Sequence, residues 1–156
     1  MFNLQIICVG KYKESYWSEA ETEYLKRLKP YAKIEILEIS EEQFNDSSDK
    51  EKIKKIEAEK ILKQTRNSNI IVALHERGKE FTSQKLAEWL EENSRRGEQI
   101  VFILGGPLGL HNSLLEKSTN KLSLSKLTFP HQMARVILLE QIYRAGTIVN
   151  NKTYHY

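Results

Sequence analysis

Apolar positions along the chain keep two rhythms that trade places. Residues 3–9, Asn-Leu-Gln-Ile-Ile-Cys-Val, form a short and nearly unbroken apolar run ending at Gly10, the pattern of a buried strand. Residues 14–29 place Tyr16, Trp17, Ala20, Tyr24, Leu25 and Leu28 along one side of a helix that Pro30 stops. Residues 33–39 alternate as a strand, and 40–48 are polar and predict a loop. Ser48 and Glu51 have the spacing of a capping box, which opens a charged helix to about Arg66 with Ile53, Ile56 and Leu62 on one side. Residues 69–74 predict a third strand, 75–79 a turn, and 83–95 a helix with Leu86, Trp89 and Leu90 inward. A fourth strand at 99–104 runs directly into Gly105-Gly106-Pro107-Leu108-Gly109. A short helix at 111–117, a short strand at 121–124, a loop at 124–130 and a last helix at about 131–149 complete the series.

Strands that alternate with helices predict an α/β domain with a mainly parallel sheet and helices on both faces. Three of the strands are apolar on both sides, as strands covered by helices on two faces must be. The last helix is apolar nearly all round, from Met133 and Ala134 to Tyr143 and Ala145. Such a helix is buried on more than one side, and in a 156-residue chain the extra side predicts a homodimer.

Composition narrows the function classes. A single cysteine, Cys8, excludes an intrachain disulfide and a cysteine zinc cage. It sits in an apolar strand, where a small core residue is the simpler reading than a nucleophile. No apolar run approaches the roughly 18 residues of a membrane span, and the first residues lack the pattern of a secretory leader. A cytoplasmic protein without a membrane contact is expected. The net charge is only +3, but residues after 100 hold six lysines and arginines against two glutamates, together with three of the four histidines. A basic segment of that kind attracts phosphates, although a solvated surface would look the same.

There are only two aspartates, Asp46 and Asp49, which argues against a carboxylate-rich two-metal centre. The histidines show no metal-ligand spacing, so no metal is expected. The P-loop, dinucleotide-binding and nucleophile-elbow motifs are all missing. What remains is the glycine-rich turn at 105–109. Glycine after a strand lets main chain approach a ligand closely, and a plain tight turn is the other reading. In open α/β sheets ligands lie beyond the carboxyl ends of the strands. There the segments after Leu74, at Gly105–Gly109 and at Leu124–Phe129 can meet, offering small, apolar and backbone-rich surfaces that suit a flat neutral base. Polar residues gather instead on the last helix and tail, where Glu140 and Arg144 stand four apart and can pair.

These residues resemble a known family. Gly105-Gly106-x-x-Gly109-Leu110, then Leu122 to Gln132, then Arg135-Val136, Glu140-Gln141-x-Tyr143-Arg144-Ala145 and Tyr154-His155 are similar to the large-subunit ribosomal RNA methyltransferase H family of the SPOUT class. Val9-Gly10-Lys11 and Tyr24-x-x-Arg27 extend the likeness to the whole chain, as one domain over 1–156. The resemblance implies a C-terminal trefoil knot, a homodimer, and S-adenosylmethionine as donor. It implies methylation of N3 of a pseudouridine in 23S rRNA of the assembled ribosome. It also implies that Leu74, Gly105, Leu124, Ser125, Lys126, Leu127, Thr128 and Phe129 line the donor site. Arg144 is then suited to stabilise charge on the ring, and His155 or Glu140 to accept the imide proton, beside Tyr154. Where the family has a basic residue after the Tyr-His pair, this sequence has Tyr156, which offers stacking instead of a phosphate contact. A non-catalytic, dimeric RNA- or ribosome-binding factor is the reading from another class, and an enzyme acting on a small nucleotide is a third.

Overall fold

The computed structural model describes residues 1–67 and 70–154. Along them run β1 (Phe2–Val9), α1 (Ser15–Leu28), β2 (Ala32–Ile39), α2 (Lys50–Leu62) and β3 (Ile70–Glu80), then α3 (Ser83–Arg95), β4 (Ile100–Leu104), α4 (Asn112–Lys117), β5 (Asn120–Ser123) and α5 (His131–Val149). The five strands form one sheet in the order β2-β1-β4-β3-β5, and every neighbouring pair is parallel. Parallel neighbours need long crossovers, and the helices supply them.

Alternate residues of each strand serve opposite faces. On one face Leu4, Ile6 and Cys8 of β1 with Phe102 and Leu104 of β4 pack beneath Leu28 of α1, Leu90 of α3 and Leu138 and Ile142 of α5. On the other, Ile7 and Val9 with Val101 and Ile103 pack beneath Ala58 and Ile61 of α2 and Leu114 of α4. Both faces of β1 and β4 are therefore dry, which explains why those strands read as unbroken apolar runs. Cys8 belongs to this core, and burial pushes its thiol up to about 12. Gly146 lets α5 close on the chain between α1 and β2, since a Cβ there would stand 2.7 Å from the Tyr31 Cβ.

Three expectations change. Residues 75–79 are not a turn. They continue β3 as a bulge, because both Leu74 and Lys79 register against Leu122 of β5 and the four residues between them stand outside the ladder. The pattern hid this because Glu76, Arg77 and Gly78 carry turn-like chemistry, whereas pairing with a strand more than 40 residues away decides their conformation. The cap of α2 is Asp49, not Ser48: the Asp49 carboxylate accepts from the Lys52 N–H at 3.1 Å, and the Ser48 hydroxyl accepts from the Asn45 N–H at 2.9 Å. The helix also ends earlier than Arg66, as Gln64 and Thr65 donate to Ile61 and Leu62 in tight three-residue turns. Asn69 of the expected third strand lies outside the described residues.

Candidate active site

Beyond the carboxyl ends of β3, β4 and β5 the chain leaves an open cleft of about 700 Å³. Its walls come from the three segments singled out in the sequence. Leu74, Gly105, Leu124, Ser125, Leu127, Thr128 and Phe129 all line it, while Lys126 is exposed and does not. The volume falls in the range that holds a cofactor-sized molecule.

Each wall has a local cause. Gly105 must be glycine, because a Cβ would stand 2.9 Å from the Gly109 carbonyl carbon. The chain turns back on itself there: Gly109 donates its N–H to the Gly106 carbonyl at 3.0 Å and takes a φ of +78°. The glycine-rich segment is thus a tight turn and a cleft wall at once. On the opposite side the Ser125 hydroxyl accepts from the Leu127 N–H at 3.0 Å, and Ser123 donates its hydroxyl proton to the Ser125 carbonyl at 2.9 Å. These bonds shape the loop after β5 and leave Leu127 73% exposed on the rim.

Several lining residues had no signal in the sequence. Lys54 of α2 and Asn112 of α4 reach the cleft only through the tertiary fold. The β3 bulge adds His75, Glu76 and Arg77, which gives the cleft a charged lip above an apolar floor. The first residue of α5, His131, also lines the cleft. Its Nε2 is shut off from water and has no hydrogen-bond partner among the described residues. Burial holds its pKa below the ordinary value of 6.5, so the ring is neutral at pH 7.

Of the expected catalytic residues, Glu140, Arg144 and Tyr154 do not line this cleft. Arg144 donates to Glu140 through Nε at 3.1 Å and Nη2 at 2.7 Å, as their spacing suggested. Glu140 also accepts from the Gln141 amide at 2.5 Å. Both Glu140 oxygens thus accept hydrogen bonds, Oε1 from the guanidinium and Oε2 from the amide. The hydrogen bonds to Glu140 in turn raise the Arg144 pKa above its already high ordinary value. The Tyr154 ring lies 5.0 Å from the guanidinium carbon of Arg144 and edge-on to Tyr143 at 4.7 Å. His155 and Tyr156 lie outside the described residues. Arg144 lies ten positions along α5 from Ala134, which is at the cleft, or about 15 Å along the helix axis.

Met133, Val136, Ile137, Tyr143 and Ile148 of α5 remain only half-buried in the single chain. None of the described helices is long and apolar enough to cross a membrane. No group of three metal-ligating side chains occurs among the described residues.

Comparisons with known proteins converge on one family. The family model described as "Predicted SPOUT methyltransferase" matches residues 2–155. A Methanococcus maripaludis protein, named as a candidate ribosomal RNA large subunit methyltransferase H, is 47% identical over 157 residues, covering 98% of this chain and 99% of its own. Among solved structures, a probable methylase family protein from Haemophilus influenzae superposes with a TM-score of 0.59 at 15% identity, over 99% of this chain and 71% of that one. At that identity the superposition speaks for the fold alone.

Proposed function

The chain belongs to the SPOUT methyltransferase family, and from that premise we propose that it is an S-adenosylmethionine-dependent enzyme methylating N3 of a pseudouridine in 23S rRNA of the assembled ribosome. The observation that carries the reading is the cleft. A relative of nearly the same length, 47% identical, carries the name of a large-subunit rRNA methyltransferase. In this chain the expected donor-binding segments line one space.

The residues present fit the donor. Leu74, Leu124 and Phe129 give flat apolar walls for an adenine, and the Gly105–Gly109 turn brings main chain within reach of polar edges. The donor supplies an electrophilic methyl group on a sulfonium. The enzyme's part is to hold methyl and acceptor nitrogen in line at near-contact distance. It must also stabilise the negative charge that appears on the imide ring as its N3 proton leaves. Arg144 is suited to that task, fixed by Glu140 and flanked by Tyr154. His155 is the candidate proton acceptor, since Glu140 is already engaged.

A second copy of the chain completes this picture. Arg144 is too far along its own helix to serve its own cleft, and the half-buried apolar side of α5 offers the surface on which a twofold partner would pack. The tail of one protomer then serves the cleft of the other. A ribosomal substrate places the reaction in the cytoplasm. A non-catalytic RNA binder would not need an open cleft of this size lined by the expected donor segments.

The test is methyl transfer to intact ribosomes, read by mass spectrometry of rRNA nucleosides. Incorporation of one methyl group at N3 of a pseudouridine, lost in an Arg144→Ala variant that still dimerises, supports the reading. Absence of transfer by the unmodified chain refutes it.

A further inference from the structure

The charged lip of the cleft has no part in the function as argued so far. Charge around the cleft is one-sided. The segments at Gly105–Gly109 and Leu122–Pro130 contribute no charged side chain to the lining, whereas Glu76 and Arg77 stand together on the β3 bulge. Both are exposed, and neither has an ion-pair partner among the described residues. Lys54, the other cation on the lining, is already paired with Glu51 at 2.5 Å.

The bulge is built to hold its shape. Gly78 lies so close to β5 that a Cβ would stand 2.5 Å from the Leu122 carbonyl carbon, so this end of the bulge is clamped to the neighbouring strand. At the other end the Arg77 N–H donates to His75 Nδ1 at 3.1 Å. A bulge beside a cleft re-aims side chains that a regular strand would alternate between faces. Here consecutive residues of opposite charge both line the same cleft.

A ligand with one apolar aromatic end and one zwitterionic end matches that polarity. Resting on the donor reading above, we propose that Arg77 binds the α-carboxylate of the donor's amino-acid portion, with Glu76 beside it for the α-ammonium. The fork of a guanidinium suits a carboxylate bidentately. The amino-acid end thus lies against the β3 bulge, and the adenine end lies over the apolar floor.

The proposal is tested by calorimetry on the unmodified protein and on Arg77→Ala and Arg77→Lys. Two probes are used: S-adenosylhomocysteine, which has the amino acid, and methylthioadenosine, which lacks it. Arg77→Ala is expected to weaken S-adenosylhomocysteine about tenfold and to leave methylthioadenosine unchanged, with Arg77→Lys between. Equal loss for both probes, or no loss for either, overturns the assignment. Loss of ribosome methylation with unaltered affinity for S-adenosylhomocysteine also overturns it, and would make Arg77 a phosphate contact. Failure of the unmodified protein to bind either probe refutes the donor reading itself, and the carboxylate assignment with it. Arg77 is exposed and its side chain holds no structural contact, so the variants keep the fold.

Discussion

Arg135 of α5 grips Glu21 of α1 with two hydrogen bonds, from Nε at 2.5 Å and from Nη2 at 2.7 Å. A third, from Nη1, reaches Glu38 of β2 at 2.9 Å, and the Tyr12 ring lies 4.3 Å from the guanidinium carbon. Arg135 is only 4% exposed. One cation therefore ties the first turns of α5 to two other elements, and those turns carry His131 and Ala134 into the cleft. Removing it leaves two carboxylates facing each other with nothing between them. Breaking a buried pair by deleting one partner costs about 3–5 kcal/mol. Arg135→Ala is expected to lower the unfolding free energy read from urea denaturation by that amount, and an unchanged free energy would contradict the role.

Gly78 makes a second prediction. A methyl group there would collide with the main chain of Leu122, which cannot yield as a flexible side chain would. Gly78→Ala should push β5 away from the bulge and open the cleft. The expected outcome is a lower melting temperature together with weaker binding of S-adenosylhomocysteine. Wild-type values for both would show that the two strands are not pressed together at this point.

The acid side of the stability profile is a third. Burial keeps the His131 pKa below its ordinary value of 6.5 in the folded chain, opposed by Glu41 and reinforced by Lys13. Below pH 6.5 the unfolded chain takes up a proton that the folded chain refuses. Stability is therefore present above that pH and is lost as pH falls through the depressed folded value. Urea unfolding at a series of pH values should show this decline, and His131→Asn should flatten it. Identical slopes for the two proteins would remove His131 as the cause.

Cys8 provides a fourth. Its thiol is buried and pushed up to about 12 by desolvation, only partly offset by Arg135. At pH 8 it should resist iodoacetamide in the native protein and react once urea unfolds the chain. Rapid stoichiometric labelling of native protein would place it outside the core.

How much of this was legible in the sequence follows from which interactions are local. The strands β1 and β4 were readable because both of their faces are buried, so the run Ile6 to Val9 and the run Ile100 to Leu104 could serve nothing else. The pairing of Glu140 with Arg144 was readable because a helix fixes that spacing. The bulge was not, since the double registration on Leu122 arises between segments distant in sequence. Arg135 gave no sign of its partners for the same reason: Glu21 and Glu38 lie 114 and 97 residues away. Lys54 and Asn112 likewise enter the cleft wall through packing, with nothing in their own neighbourhoods to mark them.

The likeness of the cleft-lining segments to a family was legible for a different reason. Leu122 to Gln132 and the glycine-rich turn are contiguous stretches, and within the turn Gly105 is fixed by the close approach of the Gly109 main chain. A contiguous motif can be read directly along the chain, while the charged lip opposite is assembled from single side chains on a distorted strand.

The proposed donor site is the cleft beyond β3, β4 and β5. A crystal structure of the protein with S-adenosylhomocysteine measures this directly. Electron density for the ligand is expected between the Gly105–Gly109 turn and the Leu124–Phe129 loop, with its base over Leu74 or Phe129. Density at any other place on the chain, or none at saturating ligand, would contradict it.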